Sequence, residues 1–170
     1  MGQCDEPNHS DFRRNMKLET FEKEHISHFV KFANQKKLYS FLLSKKKTSV
    51  AEQQQAQHEN LYTLTHEGAF AGFVEFIDID FYNKNCKFYI STEEPFMYGK
   101  ALDRVVCYCF DDIGLYKITT FTLPTEQKII DCLGEHGFKS EVRWRQHHFR
   151  DASYCGIFEF SLLLEDIDAD

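Results

Sequence analysis

A loop that carries a proline and a glycine, followed by an amphipathic helix, has the clearest capacity for ligand chemistry in this 170-residue sequence. Pro95 and Gly99 mark the loop, and apolar residues at helical spacing follow it. The first N–H groups of a helix lack intrahelical partners and lie at the positive end of the helix dipole, so they favour bound anions. The pattern predicts a site for the phosphates of a nucleotide-like ligand.

Two neighbouring histidines, His147 and His148, are a second candidate, because an imidazole can act as a base or bind a metal ion. Adjacent side chains on an extended strand diverge, and no carboxylate or cysteine completes a ligand set at the usual spacing. The six cysteines include no C-x-x-C pair. We therefore expect ordinary loop histidines, reduced thiols and no metal site.

Hydrophobic periodicity predicts a mixed α/β (α+β) framework for these candidates. The predicted strands are 16–21, 61–65, 70–80, 86–91, 117–123, 138–144 and 154–164. The predicted helices are 22–34, 48–59, the helix that follows the 95–99 loop, and 125–136, with a polar turn at 147–153. This order predicts a mixed, mostly antiparallel central sheet with helices on both faces.

Length and composition limit the domain organisation and the partners. Residues 16–170 suit a single domain, and the polar, aperiodic stretch 1–15 is expected to be a flexible arm. A net charge of −7 argues against a nucleic-acid partner. The sequence has no apolar run of transmembrane length and no signal peptide. We expect no membrane partner and, with reduced cysteines, a cytoplasmic location.

The element order resembles the Gcn5-related N-acetyltransferase (GNAT) superfamily over roughly 16–165. The segment ALDRVVCYCFDDIGLYKI at 101–118 is similar to the branch that acetylates ribosomal-protein N-termini and spermidine. The segment 133–163 is similar to the same branch, through Gly137-Phe138, Arg150-Asp151, Tyr154 and Ser161-Leu162-Leu163. The PFMYG loop at 95–99 is similar to the loop of amino-sugar N-acetyltransferases.

The resemblance implies direct transfer of an acetyl group from acetyl-CoA, as co-substrate, to a primary amine. It implies that the loop backbone at 96–100 holds the pyrophosphate. It also implies that the splayed strand end at 88–91 binds the pantetheine and polarises the thioester. The cofactor-binding residues that it assigns in this sequence are Phe88, Ile90, Ser91, Tyr98, Gly99, Lys100, Ala101 and Glu126.

Several positions depart from the family pattern. Phe96 and Tyr98 stand where the family has its loop glycines, and Glu126 stands where it usually has an asparagine. Leu133 stands in place of the tyrosine general acid, and Lys87 in place of the acidic residue on the strand before the loop. A shift of one residue recovers a loop glycine at Gly99. Bulky side chains at 96 and 98 must point away from the cofactor groove if acetyl-CoA is to bind.

A general base is expected because the acceptor amine must be neutral when it attacks. Glu75 is the first candidate, since the run 73–76 (FVEF) places its carboxylate inside an apolar strand. The alternative for Glu75 is an outward-facing, solvated side chain. Tyr154 is the candidate acid in place of Leu133, and its alternative is a core tyrosine with a bonded hydroxyl.

Two functions therefore stay open. The first is an N-acetyltransferase that acts on a small-molecule amine, such as an amino-sugar nucleotide or a polyamine, or on a protein N-terminus. The second is a non-catalytic protein of the GNAT fold that binds a CoA thioester or a protein partner. The apolar strand 156–164 would also allow a homodimer.

Overall fold

A seven-stranded mixed sheet forms the centre of the computed structural model, which describes residues 15–34, 60–150 and 153–167. Its strands are β1 (Met16–Thr20), β2 (Leu61–His66), β3 (Ala69–Asp80), β4 (Asn85–Thr92), β5 (Lys117–Thr122), β6 (Lys139–Arg150) and β7 (Ser153–Leu163). They lie in the order β1-β2-β3-β4-β5-β7-β6. The β4–β5 pair is parallel and the other neighbouring pairs are antiparallel. The predicted mixed, mostly antiparallel sheet is confirmed.

The helices of the described residues are α1 (Ile26–Asn34), α2 (Tyr98–Cys107), α3 (Gln127–Glu135) and the short α4 (Leu164–Ile167). A 3-10 turn, Pro95–Met97, leads into α2, and a π-helical turn, Tyr108–Asp112, follows it. Within these ranges, no helix has both the length and the apolar character needed to cross a membrane. The predicted helix at 48–59, and the predicted arm up to residue 14, lie outside the described residues.

Strand alternation divides the sheet into two faces that bury different residues. On one face, the main core joins the sheet to α2 and α3 through buried residues such as Val74, Phe76, Ile118, Leu102, Val105 and Leu133. On the other face, Phe29 of α1 packs edge-on against Phe73, with ring centroids 5.4 Å apart. Because β3 alternates, Glu75 shares the face of Phe73. The prediction of helices on both faces is confirmed.

The predicted polar turn at 147–153 is wrong over most of its length. Strand β6 continues through Arg150 and β7 begins at Ser153, so the two form a long hairpin. The register shifts between Trp144 and His148, and Gln146 adopts a positive φ of 50°. Main-chain hydrogen bonds hold this outer part of the hairpin together. Its residues are polar, so the sequence shows no alternation of apolar residues from which a strand could be predicted.

Gly72 and Gly134 provide a matched test of the packing. A Cβ at Gly72 would lie 2.1 Å from the Ser91 carbonyl oxygen, so Gly72→Ala forces β3 and β4 apart. We expect it to lower the free energy of unfolding by about 1–3 kcal/mol. A Cβ at Gly134 in α3 meets nothing within 4 Å, so Gly134→Ala should raise it by about 0.5–1 kcal/mol. Denaturant titration measures both, and equal losses would contradict the packing described here.

Candidate functional site

The parallel strands β4 and β5 separate soon after they pair. Their register covers Asn85–Lys117, Cys86–Ile118 and Lys87–Thr119, although β4 continues to Thr92 and β5 to Thr122. Beyond this point the Thr120 hydroxyl donates a hydrogen bond to the Phe88 carbonyl oxygen over 3.0 Å. The ladder between β4 and β5 thus ends before 88–91, the segment that the family resemblance implied to be a splayed strand end.

The two bulky side chains of the loop after β4 lie in different environments. Tyr98 is only 8% exposed and belongs to the main core, whereas Phe96 is 74% exposed. No side chain caps the helix at its N-cap residue, Met97. Met97 itself belongs to the 3-10 turn: its N–H bonds to the Glu94 carbonyl oxygen over 3.0 Å, and the Tyr98 N–H bonds to that of Pro95. The helical segment therefore begins at Pro95, after Glu94, where no side chain caps it, and its positive dipole end lies there.

The other predicted loop residues contribute in different ways. Ala101 is fully buried in the core, so it can act on a ligand only through its main chain. A Cβ on Gly99 would face α3, 3.5 Å from Cys132 Sγ. Lys100 Nζ lies 3.2 Å from His66 Nε2, so the loop has one cationic side chain beside it.

Two residues that depart from the family pattern lie at α3: Glu126 directly precedes this helix and Leu133 lies within it. The Glu126 carboxylate accepts hydrogen bonds from the Thr122 hydroxyl, over 2.7 Å, and from the Leu123 N–H, over 2.9 Å. Its carboxylate is thus held against the end of β5. Leu133 is fully buried in the main core and cannot supply a proton.

The face of the sheet opposite α2 and α3 carries a line of four side chains that crosses four strands. Glu75 on β3 pairs with Tyr89 on β4. Tyr89 stacks on Phe121 of β5, with ring centroids 6.0 Å apart. Phe121 in turn pairs with Glu159 on β7. We call Glu75, Tyr89, Phe121 and Glu159 the open-face row.

Glu75 occupies an apolar setting at one end of this row. Its cross-strand neighbours are Leu61 and Tyr89, and Phe73 precedes it on the same face; all three neighbours are buried. The Glu75 Oε2 atom is buried without a hydrogen-bond partner. Desolvation raises the pKa of Glu75 to about 7. Glu75 is thus a half-buried side chain with one buried carboxylate oxygen, and not a fully solvated one.

Tyr89 lies beside the opening between β4 and β5. Burial, followed by the negative charges of Glu75, Asp78 and Glu159, raises the pKa of Tyr89, so its hydroxyl stays protonated. Sequence reasoning assigned 88–91 to main-chain contacts and missed Tyr89, Phe121 and Glu159. Alternation with the core residue Phe88 already predicts an opposite face for Tyr89. Its pairing with Glu75 could be assigned only from the register between β3 and β4.

The structure does not bring Tyr154 to the open-face row. Tyr154 is 65% exposed and lies four positions before Phe158, the residue that pairs with the end of β5. This separation is roughly 13 Å along the strand. His147 lies on β6, with its ring 5.5 Å from that of Trp144. Within the described ranges, no group of three or more His, Cys, Asp or Glu side chains is arranged to hold a metal ion.

Comparison with known proteins places this geometry in a recognised fold. No model of a protein family matches the sequence, and no curated protein matches it. Solved structures do match. The spermidine N-acetyltransferase of Vibrio cholerae in complex with CoA and spermine has a TM-score of 0.80 at 18% identity, covering 89% of this chain and 97% of that one.

Two further solved structures agree. A dodecameric structure of the Vibrio cholerae enzyme in an intermediate state has a TM-score of 0.80 at 16% identity, covering 92% of this chain and 99% of that one. A probable acetyltransferase has a TM-score of 0.71 at 15% identity, covering 91% and 96%. At sequence identities this low, the TM-scores establish the fold and no more. The chain has the GNAT fold that its sequence predicts.

The burial of Glu75 predicts a pH-dependent cost in stability. The native state holds a proton on Glu75 more tightly than the unfolded chain, so Glu75 lowers stability as pH rises from about 4.5 to about 7. We expect Glu75→Gln to have a higher Tm than the wild type at about pH 8 and an equal Tm at about pH 4. Glu135→Gln, a change at an exposed position on α3, is the control. A wild-type Tm above that of Glu75→Gln at about pH 8 would contradict the raised pKa of Glu75.

His136 joins α3 to α2 and provides a test with a different pH window. Its Nε2 lies 3.2 Å from Asp103 Oδ1, and its Nδ1 bonds to the Cys132 carbonyl oxygen over 2.7 Å. Asp103, followed by Cys132, raises the pKa of His136 to about 10. The stabilisation is complete below about pH 6.5 and disappears as pH rises through about 10.

His136→Gln should therefore lower the free energy of unfolding near pH 6. We expect about 1 kcal/mol, because solvent screens the partly exposed Asp103. Near pH 10.5 the charged contribution should be gone. Denaturant titration at both pH values measures the difference, and a loss that is constant with pH would exclude the ion pair as its source.

Proposed function

We propose that this chain transfers an acetyl group from acetyl-CoA directly to a primary amine. The observation that carries the proposal is the opening between β4 and β5. Strand β4 leads from it into the helical segment that begins at Pro95, and pairs on its other edge with β3, which carries the half-buried Glu75. Free thiols at all five cysteines of the described residues support a cytoplasmic location.

The residues around the opening suit acetyl-CoA as co-substrate. The helical segment that begins at Pro95 offers its positive dipole end to the pyrophosphate, and Lys100 adds a positive charge. The main chain of β4 from Phe88 to Ser91 would pair with the amide groups of the pantetheine. The hydrogen bonds that Glu126 accepts from the Thr122 hydroxyl and the Leu123 N–H hold its carboxylate at the end of β5.

The chemistry follows from the position of Glu75. A protonated amine loses a proton to the Glu75 carboxylate, and its nitrogen then attacks the thioester carbonyl carbon. Main-chain N–H groups at the opening stabilise the oxyanion of the tetrahedral intermediate. The C–S bond breaks, the amide forms, and the leaving CoA thiolate takes up the second proton that the attacking nitrogen releases.

A polyamine is the acceptor that we propose first. The matching structures include an enzyme named for spermidine, and one of them holds spermine, which supports an aliphatic amine. The net charge of −7 also favours a cationic substrate. Amino-sugar nucleotides and protein N-termini are the competing acceptors.

One of the matching structures is dodecameric. We propose that this chain also forms a homo-oligomer, whose mass light scattering would measure.

Calorimetric titration with acetyl-CoA, with CoA as the control, tests the cofactor site. We expect a Kd in the micromolar range, followed by turnover in a panel of polyamines, amino-sugar nucleotides and peptides. No binding at millimolar acetyl-CoA would overturn the proposal. Binding without turnover of any amine would instead favour the non-catalytic GNAT-fold alternative.

The pH profile tests Glu75 as the base. Wild-type kcat/KM should rise with pH through about 7, because Glu75 accepts a proton only after it has lost its own. Glu75→Gln should reduce kcat/KM at least about 100-fold and remove this rise. Glu135→Gln is the matched control for the loss of one charge. Activity of Glu75→Gln within threefold of the wild type would exclude Glu75 as the base.

A further inference from the structure

We propose that Glu159, held in place by Trp144, binds a second ammonium group of the acceptor and makes the chain selective for α,ω-diamines over monoamines. The inference rests on the proposed function and adds to it a residue that selects the acceptor. It arises from the open-face row, in which two carboxylates are separated by two aromatic rings.

The ends of the row lie at a definite spacing. Glu75 and Glu159 stand on β3 and β7, with β4 and β5 between them. Neighbouring strands lie about 4.8 Å apart, so the two Cα atoms are at least about 14 Å apart, and the β4–β5 opening widens the gap. A molecule that reaches both carboxylates must therefore be elongated.

The middle of the row suits an alkyl chain. Tyr89 and Phe121 stack with an interplanar angle of 24°, so their faces are nearly parallel. Aromatic faces contact methylene groups well and tolerate a nearby cation. Along the row, a carboxylate is followed by two aromatic rings and a second carboxylate. An amine with an apolar spacer and a second positive charge matches this order.

The negative charge of Glu159 is available for such a contact. Asp78, another carboxylate near Tyr89, already pairs with Lys87 over 2.8 Å. Among the ion pairs between described residues, none includes Glu159. Its bonded neighbour is the uncharged indole of Trp144, whose Nε1–H donates to Glu159 Oε2 over 2.8 Å.

Trp144 is a positioning residue in this arrangement. It pairs with the buried Ile157 across the β6–β7 ladder, which fixes its backbone beside Glu159. At Gly156 the two strands approach so closely that a Cβ would lie 2.9 Å from the Trp144 carbonyl oxygen. The indole engages one carboxylate oxygen and leaves the other for a ligand.

Selectivity follows because the two ends of the acceptor have different charge states. The nitrogen beside Glu75 must lose its proton to attack, whereas the distal nitrogen stays protonated and pairs with Glu159. A monoamine of the same length leaves Glu159 without this partner. Discrimination is measured as a ratio of kcat/KM values.

The test compares α,ω-diaminoalkanes with n-alkylamines of the same carbon number, using acetyl-CoA as donor. The wild type should prefer diamines, with an optimum at one chain length. Glu159→Gln should lower kcat/KM for diamines about tenfold, mainly through KM, and leave monoamines within twofold. Trp144→Phe should shift the ratio in the same direction by less. Glu135→Gln should leave the ratio unchanged.

The outcomes separate this proposal from the proposed function. A wild type that acetylates both series equally, or a Glu159→Gln variant that lowers both equally or neither, overturns the role of Glu159 and leaves acetyl transfer standing. A wild type that acetylates no amine overturns both proposals. Acetyl-CoA affinity reports folding of each variant. If Glu159→Gln fails to bind acetyl-CoA, the diamine-to-monoamine ratio of Trp144→Phe decides.

Discussion

The separation of the parallel strands β4 and β5 after their first paired positions is the constraint on which the rest of the structure depends. Polar main-chain groups that leave a ladder need other partners. The Thr120 hydroxyl supplies one of them to Phe88. On the other side of β4 the ladder with β3 continues to the Gly72–Thr92 pair. Strand β4 is thus held on one side and open on the other, which places Tyr89 beside the opening.

Glu75 shows how the site opposes the stability of the sheet that carries it. The partial burial of the Glu75 carboxyl group, whose Oε2 atom lacks a hydrogen-bond partner, destabilises the charged native state, and a neutral side chain of similar size would avoid that penalty. The same desolvation gives the group a pKa of about 7, which suits proton transfer near neutral pH. Such local conflicts between stability and chemistry are expected at functional sites.

The departures from the GNAT loop pattern leave the fold intact because they are absorbed by packing. Tyr98 turns into the core between the sheet and α2, and Leu133 fills the same core from α3. Glu126 closes the junction between β5 and α3 with its own hydrogen bonds. What remains at the start of α2 is main chain, and main-chain groups do not depend on side-chain identity. A cofactor site that uses the backbone can therefore tolerate these substitutions.

The sequence by itself determined the elements and their order, because periods of two and of three to four residues fix which residues each strand or helix buries. The family resemblance of the sequence implied the opening on β4, and the apolar run 73–76 singled out Glu75. Only the tertiary structure decided the environment of Glu75 and the row that joins it to Glu159, since both depend on the register between strands distant in sequence. It also placed Tyr154 at an exposed position away from Glu75 and Glu159. It showed a hairpin in place of the predicted 147–153 turn, because main-chain pairing leaves no side-chain pattern to read.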